Sequence, residues 1–145
     1  MKHTELLDHL LHVTEVLGTD MQDHLRGLGL TTAKAHLLWI LHGEGPRRQR
    51  DLAVGLGHTA RHVTTLVDEL IEAGHVRREP HPQDRRAVLI SLTPGAVALI
   101  GQMAAEHDAL GRQLFGHLDR AERDDLGRRL VELQQTLARL TTKSP

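Results

Sequence analysis

The chain has 145 residues, 39% of them apolar, a formal net charge of −1, one Trp, one Phe and no Cys. That length allows one domain, or two small lobes sharing a core. Without cysteine there are no disulfides, thiolate metal sites or thiol redox chemistry, and no apolar run approaches the roughly 18 residues of a membrane span. The N-terminal segment alternates polar and apolar residues and lacks the apolar centre of a signal peptide, so a cytoplasmic protein is expected. With Trp39 and Phe115 the only aromatics, the core must come from Leu, Val, Ile and Ala, which suits packed helices.

Leu6, Leu10, Val13 and Leu17 share one face of a first helix, which ends near Gly18 or runs on toward Leu25. Thr31 or Thr32 can cap a second helix through Leu41, stopped by Gly43-Glu44-Gly45-Pro46; Leu38, Trp39 and Leu41 read as its core residues. A short helix around Arg50 to Leu56 ends at Gly57. Thr59 caps the next helix, which runs to about Ala73, and Gly74 terminates it. His75 to Glu79 and Ala87 to Ser91 read as two strands, joined by the polar loop Pro80-His81-Pro82-Gln83-Asp84-Arg85-Arg86. Thr93-Pro94 opens a further long helix, with threonine as N-cap and proline at the first helical position. Leu126, Leu130, Leu133, Leu137 and Leu140 mark a last helix from about Asp119 to Leu140. The leucine stripes at the two chain ends are narrow. Such stripes suit packing against a partner helix, with an intramolecular bundle as the alternative.

Helix, turn at Gly57, helix and hairpin make the pattern of a winged helix-turn-helix. The expected fold class is therefore mostly α (α+β). Residues 30–92 form the DNA-binding region, and 1–29 with 93–145 form a helical dimerisation region. The second helix of the pair can enter a major groove and reach base edges, while its amide-rich end suits phosphate. Thr59, Arg61, His62, Thr64 and Thr65 are the candidate contacts on its first turns, with packing an alternative role for Thr64. Arg85 or Arg86, at the hairpin tip, can enter the adjacent minor groove, with Asp84 paired to Arg86 to brace the tip. On the strand, Arg77 and Arg78 face opposite sides, so at most one of them faces DNA. Charge is weakly segregated in support: Arg47 to Ile90 holds eight Arg/Lys against six Asp/Glu, although the whole chain is slightly acidic.

The stretch LAVGLGHTARHVTTLVDELIEAGHVRREPHPQDRRAVLISLTPGA resembles the core of the MarR family of transcriptional regulators. It carries the Leu52-Ala53 pair, the Leu56-Gly57 turn, Val63-Thr64 and Leu66-Val67-Asp68 on the recognition helix. It also carries Gly74 before the first wing strand, Asp84-Arg85-Arg86 at the wing and Leu92-Thr93-Pro94-Gly95 beyond it. Upstream, Leu30-Thr31 with Leu37, Leu38 and Leu41 fits the family's second helix. The chain departs from many relatives in carrying Ala60 and Thr65 where an arginine stands at one of these positions, and Lys34 where they carry a glutamine. The resemblance implies a homodimer on a pseudo-palindromic double-stranded DNA operator, acting as a ligand-responsive repressor with no obligatory cofactor.

Twelve histidines in 145 residues is a high count. The resemblance places His24, His36 and His107 on helices bordering the cleft between DNA-binding and dimerising parts. Metal-sensing relatives of that family carry a histidine where His36 sits and histidines in the part of the later helix where His107 sits. A zinc-responsive regulator is thus an alternative, with a small organic effector the other; a zinc site needs three or four ligands. His58 and His62 are four apart, but His58 precedes the cap, so helical geometry does not hold between them. No Gly-rich phosphate loop, nucleophile elbow, HExxH motif or cysteine nucleophile is present, so no enzyme is expected. A winged-helix module that binds protein is the remaining alternative, and the salt dependence of binding to random DNA separates the two.

Overall fold

In the computed structural model, which describes residues 1–142, the chain folds into helices and a small antiparallel sheet. The elements in order are α1 (His3–Gly27), α2 (Thr32–Glu44), β1 (Arg47–Arg48), α3 (Gln49–Leu56), α4 (Ala60–Glu72), β2 (Val76–Pro80), β3 (Val88–Leu92), α5 (Pro94–Phe115) and α6 (Arg120–Thr141). The mostly helical winged fold expected above is the one found. The last three residues of the expected 93–145 region lie outside the described residues. The chain divides into two compact units inside α5, one from Met1 to Gly101 and one from Gln102 onward.

Local chemistry sets the helix starts. Thr31 Oγ1 accepts from the Lys34 amide, and Thr59 Oγ1 from the His62 amide. Thr93 Oγ1 accepts from the Ala96 amide at 3.3 Å, and Asp119 and Glu122 satisfy each other's amides in a reciprocal box. Each cap gives a partner to an amide that the helix itself cannot pair, a stabilisation of about 1 kcal/mol. α1 is longer than its leucine stripe requires: it passes through Gly18 and ends at Gly27.

The core of the first unit is aliphatic. Leu37, Leu38, Leu52, Val63, Val67, Leu70, Val76, Ile90 and Ile100 are fully enclosed. α4 shows the clearest amphipathic pattern: it buries Val63, Leu66, Val67 and Leu70 on one face and leaves its charged residues outside. Trp39 does not join this core and is 38% exposed. α2 buries Ala35, Leu37, Leu38 and Leu41, and residue 39 falls just outside the arc that these positions define. Its indole lies instead 6.0 Å from the His42 ring.

The sheet has three strands in the order β1-β3-β2, where two were expected. Val76 pairs with Leu92 and Pro80 with Val88, so both wing strands begin one residue later than the sequence pattern suggests. The added strand is the dipeptide Arg47-Arg48, opposite Ile90 and Leu89. It ties the segment entering α3 to the root of the wing.

In the second unit α6 buries no residue. Its surface carries short-range ion pairs; Asp125 accepts from Arg129 at 2.7 Å and from Arg128 at 2.9 Å. These two guanidinium groups, Arg129 first, hold the Asp125 carboxyl below the usual carboxylate range.

Candidate nucleic-acid interface

The turn between α3 and α4 is built on Gly57, which closes α3 in the left-handed conformation at φ 66°. The His58 amide then donates to the Ala53 carbonyl at 3.1 Å, and the Gly57 amide to that of Val54 at 3.2 Å. The chain reverses there, Thr59 caps α4, and the first turns of α4 stand in solvent: Thr59, Ala60, Arg61, His62, Thr64 and Thr65 are all exposed.

Three of the candidate hydroxyls are already engaged. Thr59 is the cap. Thr64 Oγ1 donates to the Ala60 carbonyl at 3.0 Å and accepts from Gln49 Nε2 at 2.6 Å, a tie between the two helices of the motif. Thr65 Oγ1 donates to the Arg61 carbonyl at 3.3 Å. Thr64 thus works as a positioning residue in this structure, the packing role that its place in the sequence left open. Gln49, which completes the tie, carries no sequence signal. The His62 ring lies flat against that of His58, with centroids 4.4 Å apart and planes 5° from parallel.

The tip of the wing is held by its own backbone. His81 N donates to the Ala87 carbonyl at 3.1 Å and Ala87 N to the Asp84 carbonyl at 3.0 Å. The Arg86 amide donates to Asp84 Oδ1 at 3.0 Å, and the Gln83 amide to His81 Nδ1 at 3.1 Å. The expected ion pair between Asp84 and the Arg86 side chain is not formed. Asp84 Oδ2 instead faces the Arg48 guanidinium of β1 at 3.8 Å. The third strand, invisible in the sequence pattern, delivers that arginine, so the carboxylate braces the wing root and leaves Arg86 to solvent.

The fate of the other cations sorts the surface. Between residues 30 and 92, Lys34 pairs with Glu69, Arg47 with Glu44, Arg48 with Asp84, Arg50 with Asp51, Arg77 with Glu79 and Arg78 with Asp68. Arg61, Arg85 and Arg86 are exposed and have no carboxylate partner among the described residues. These three lie on the first turn of α4 and at the wing tip. A cation without an internal partner gains more from a phosphate or a base edge than one that must first break an ion pair.

His24 and His36 are exposed on α1 and α2 in the first unit. His107 is exposed in the second unit, beside a depression of about 550 Å³ that Asp108, Arg112, Phe115 and Arg123 also line. Among the described residues, no three side chains of the His, Cys, Asp or Glu type are grouped as a metal site requires. No described helix is long and apolar enough to cross a membrane.

Residues 28–87 match the sequence profile of the MarR family. The HTH-type transcriptional regulator YhbI of Bacillus subtilis is 29% identical over 68% of this chain and 64% of its own length. The HTH-type transcriptional repressor YetL of Bacillus subtilis is 26% identical over 92% of this chain and 81% of its own. The chain spans under two thirds of YhbI and under half of two other curated regulators that it matches. Among solved structures, FabT of Streptococcus pneumoniae in complex with DNA superposes with a TM-score of 0.84, covering 96% of this chain and 99% of that one at 20% identity, a likeness of fold.

Proposed function

We propose that this chain, which belongs to the MarR family of winged helix-turn-helix transcriptional regulators, is a DNA-binding repressor that works as a homodimer on a pseudo-palindromic operator. In this reading α4 enters the major groove with Arg61 and His62 leading. The wing reaches the flanking minor groove with Arg85 and Arg86, and each protomer reads one half-site. The observation that carries it is the set of three unpaired cations, all on the first turn of α4 and the wing tip. The name of YetL, a transcriptional repressor, and the DNA bound to FabT support it from outside the chain.

The test is fluorescence anisotropy with an operator duplex and a random duplex over a range of salt. Affinity for both falls steeply with salt, because each neutralised phosphate releases counterions, about 0.9 per contact in the log–log slope. Arg61→Ala costs about 1–3 kcal/mol at one base pair in each half-site, with half-site centres about 10 base pairs apart or a multiple of that. Arg86→Ala weakens operator and random DNA alike. Affinity for a duplex that does not change with salt would mean a protein partner instead. Release by an effector rests on the family resemblance alone. If operator binding shifts on adding zinc, and a His36→Ala, His107→Ala double variant loses that shift, the effector is a metal. Without that shift, an organic effector becomes the better reading.

A further inference from the structure

We propose that His58 and His62 act as one proton-binding unit on the DNA face, so that binding DNA takes up a proton and tightens as pH falls. This rests on the DNA-binding reading above and adds a regulation of that same face. The observation is the stacked ring pair, 4.4 Å between centroids and 5° between planes, exposed beside the unpaired Arg61.

In a face-to-face stack at this distance, one protonated imidazole is attracted to the π face of the neutral ring beside it. Two charges so close repel, which opposes double protonation. Around the pair, the positive end of α4 and the Arg61 guanidinium both contribute positive potential. Carboxylates do not offset them. The next acidic residues of α4, Asp68 and Glu69, come six and seven residues after His62 and pair with Arg78 of β2 and Lys34 of α2. On α3, which like α2 packs against α4, Asp51 faces Arg50 at 4.0 Å. The pair therefore stands in a locally positive field that only an incoming anion reverses. A DNA phosphate supplies that reversal, so the bound state holds the proton that the unbound state gives up. By linkage, affinity then rises toward low pH through the range, near 6.5, in which imidazoles in general change charge. The wing carries a histidine of its own, His81, whose Nδ1 accepts from the Gln83 amide at 3.1 Å.

The experiment measures wild-type affinity for a random duplex at constant ionic strength between about pH 8 and pH 6. One linked proton gives at most a tenfold gain per pH unit, and an overall gain of about three- to tenfold is expected. The salt slope should also be steeper at the acid end by about 0.9, one further phosphate contact. His58→Gln and His62→Gln each flatten the pH dependence, while His117→Gln, in the α5–α6 loop of the second unit, keeps it. Circular dichroism at both pH values checks that the variants are folded, and His58→Asn serves as a second replacement. A flat wild-type profile overturns the proposal, as does a His58→Gln or His62→Gln profile as steep as the wild type. Absence of binding to any duplex at low salt instead overturns the DNA-binding reading itself.

Discussion

At Gly57 the backbone conformation and the surrounding space make different demands. The residue sits at φ 66°, yet a Cβ built there meets nothing within 4 Å. Any penalty for Gly57→Ala is therefore conformational, about 1–2 kcal/mol for placing an L-residue in the left-handed region. Urea unfolding of the variant should show that loss; a change under about 0.3 kcal/mol would mean that the turn relaxes to another conformation. At this scale the sequence was legible wherever the chemistry is local. Thr59 and Thr93 act as the caps that their positions suggest, because a cap needs only the amides two or three residues on. Trp39 was misread because α2 is apolar over more than one face, so composition alone does not say which large residue points outward. The His58–His62 stack was illegible for the opposite reason. His58 lies before the cap, where helical spacing fixes no direction, and only the Gly57 turn brings its ring over that of His62.

The wing depends on an element too short to leave a pattern. Two residues cannot show alternation, so Arg47-Arg48 received no element between the Gly43-Glu44-Gly45-Pro46 break and the helix around Arg50, and the Arg48–Asp84 contact across 36 positions could not be inferred. Both side chains are partly exposed, so the pair contributes only about 0–1 kcal/mol to stability, and Arg48→Ala should leave unfolding nearly unchanged. DNA binding is expected to suffer more. Without Arg48, the Asp84 carboxylate is uncompensated one residue from Arg85 and two from Arg86, where a phosphate must approach. A three- to tenfold loss of affinity is expected, about 0.7–1.4 kcal/mol. Removing the carboxylate should reverse it: Asp84→Asn in the Arg48→Ala background should recover most of the affinity, because the Arg86 amide can still bond to the amide oxygen of asparagine. The double-mutant cycle isolates this coupling. If the double variant binds no better than Arg48→Ala alone, Arg48 itself contacts DNA and the bracing role fails.

The whole chain carries more apolar surface than a lone protomer should leave in water. On α1, Leu6, Leu7, Leu11, Val13, Val16, Leu17 and Met21 are exposed, and on α6, Leu130, Val131, Leu137 and Leu140. Scattered single residues of this kind are ordinary, but here they repeat along two long helices. A side chain of this kind gains about 1.5–3 kcal/mol on passing from full exposure to full burial, and these are about half exposed, so covering most of them on both protomers would outweigh the roughly 4–15 kcal/mol cost of association. A second copy of the chain is the expected cover, which agrees with the two-fold operator of the proposed function. The narrow leucine stripes at both chain ends favour the same reading, a partner over an internal bundle. Leu11→Glu and Leu137→Glu offer a clean test because both residues are already exposed in the single chain, Leu11 at 58% and Leu137 at 49%. A charge at either position should cost the protomer little. Buried against a partner it has no counterion, and several kcal/mol of desolvation would oppose assembly. Sedimentation at micromolar concentration should find the wild type as a dimer and both variants as folded monomers. Operator affinity should then fall to that of one half-site, because the two recognition helices no longer bind as a linked pair. A monomeric wild type would contradict the proposal outright. Variants that remain dimeric would place the interface on a surface other than these two stripes.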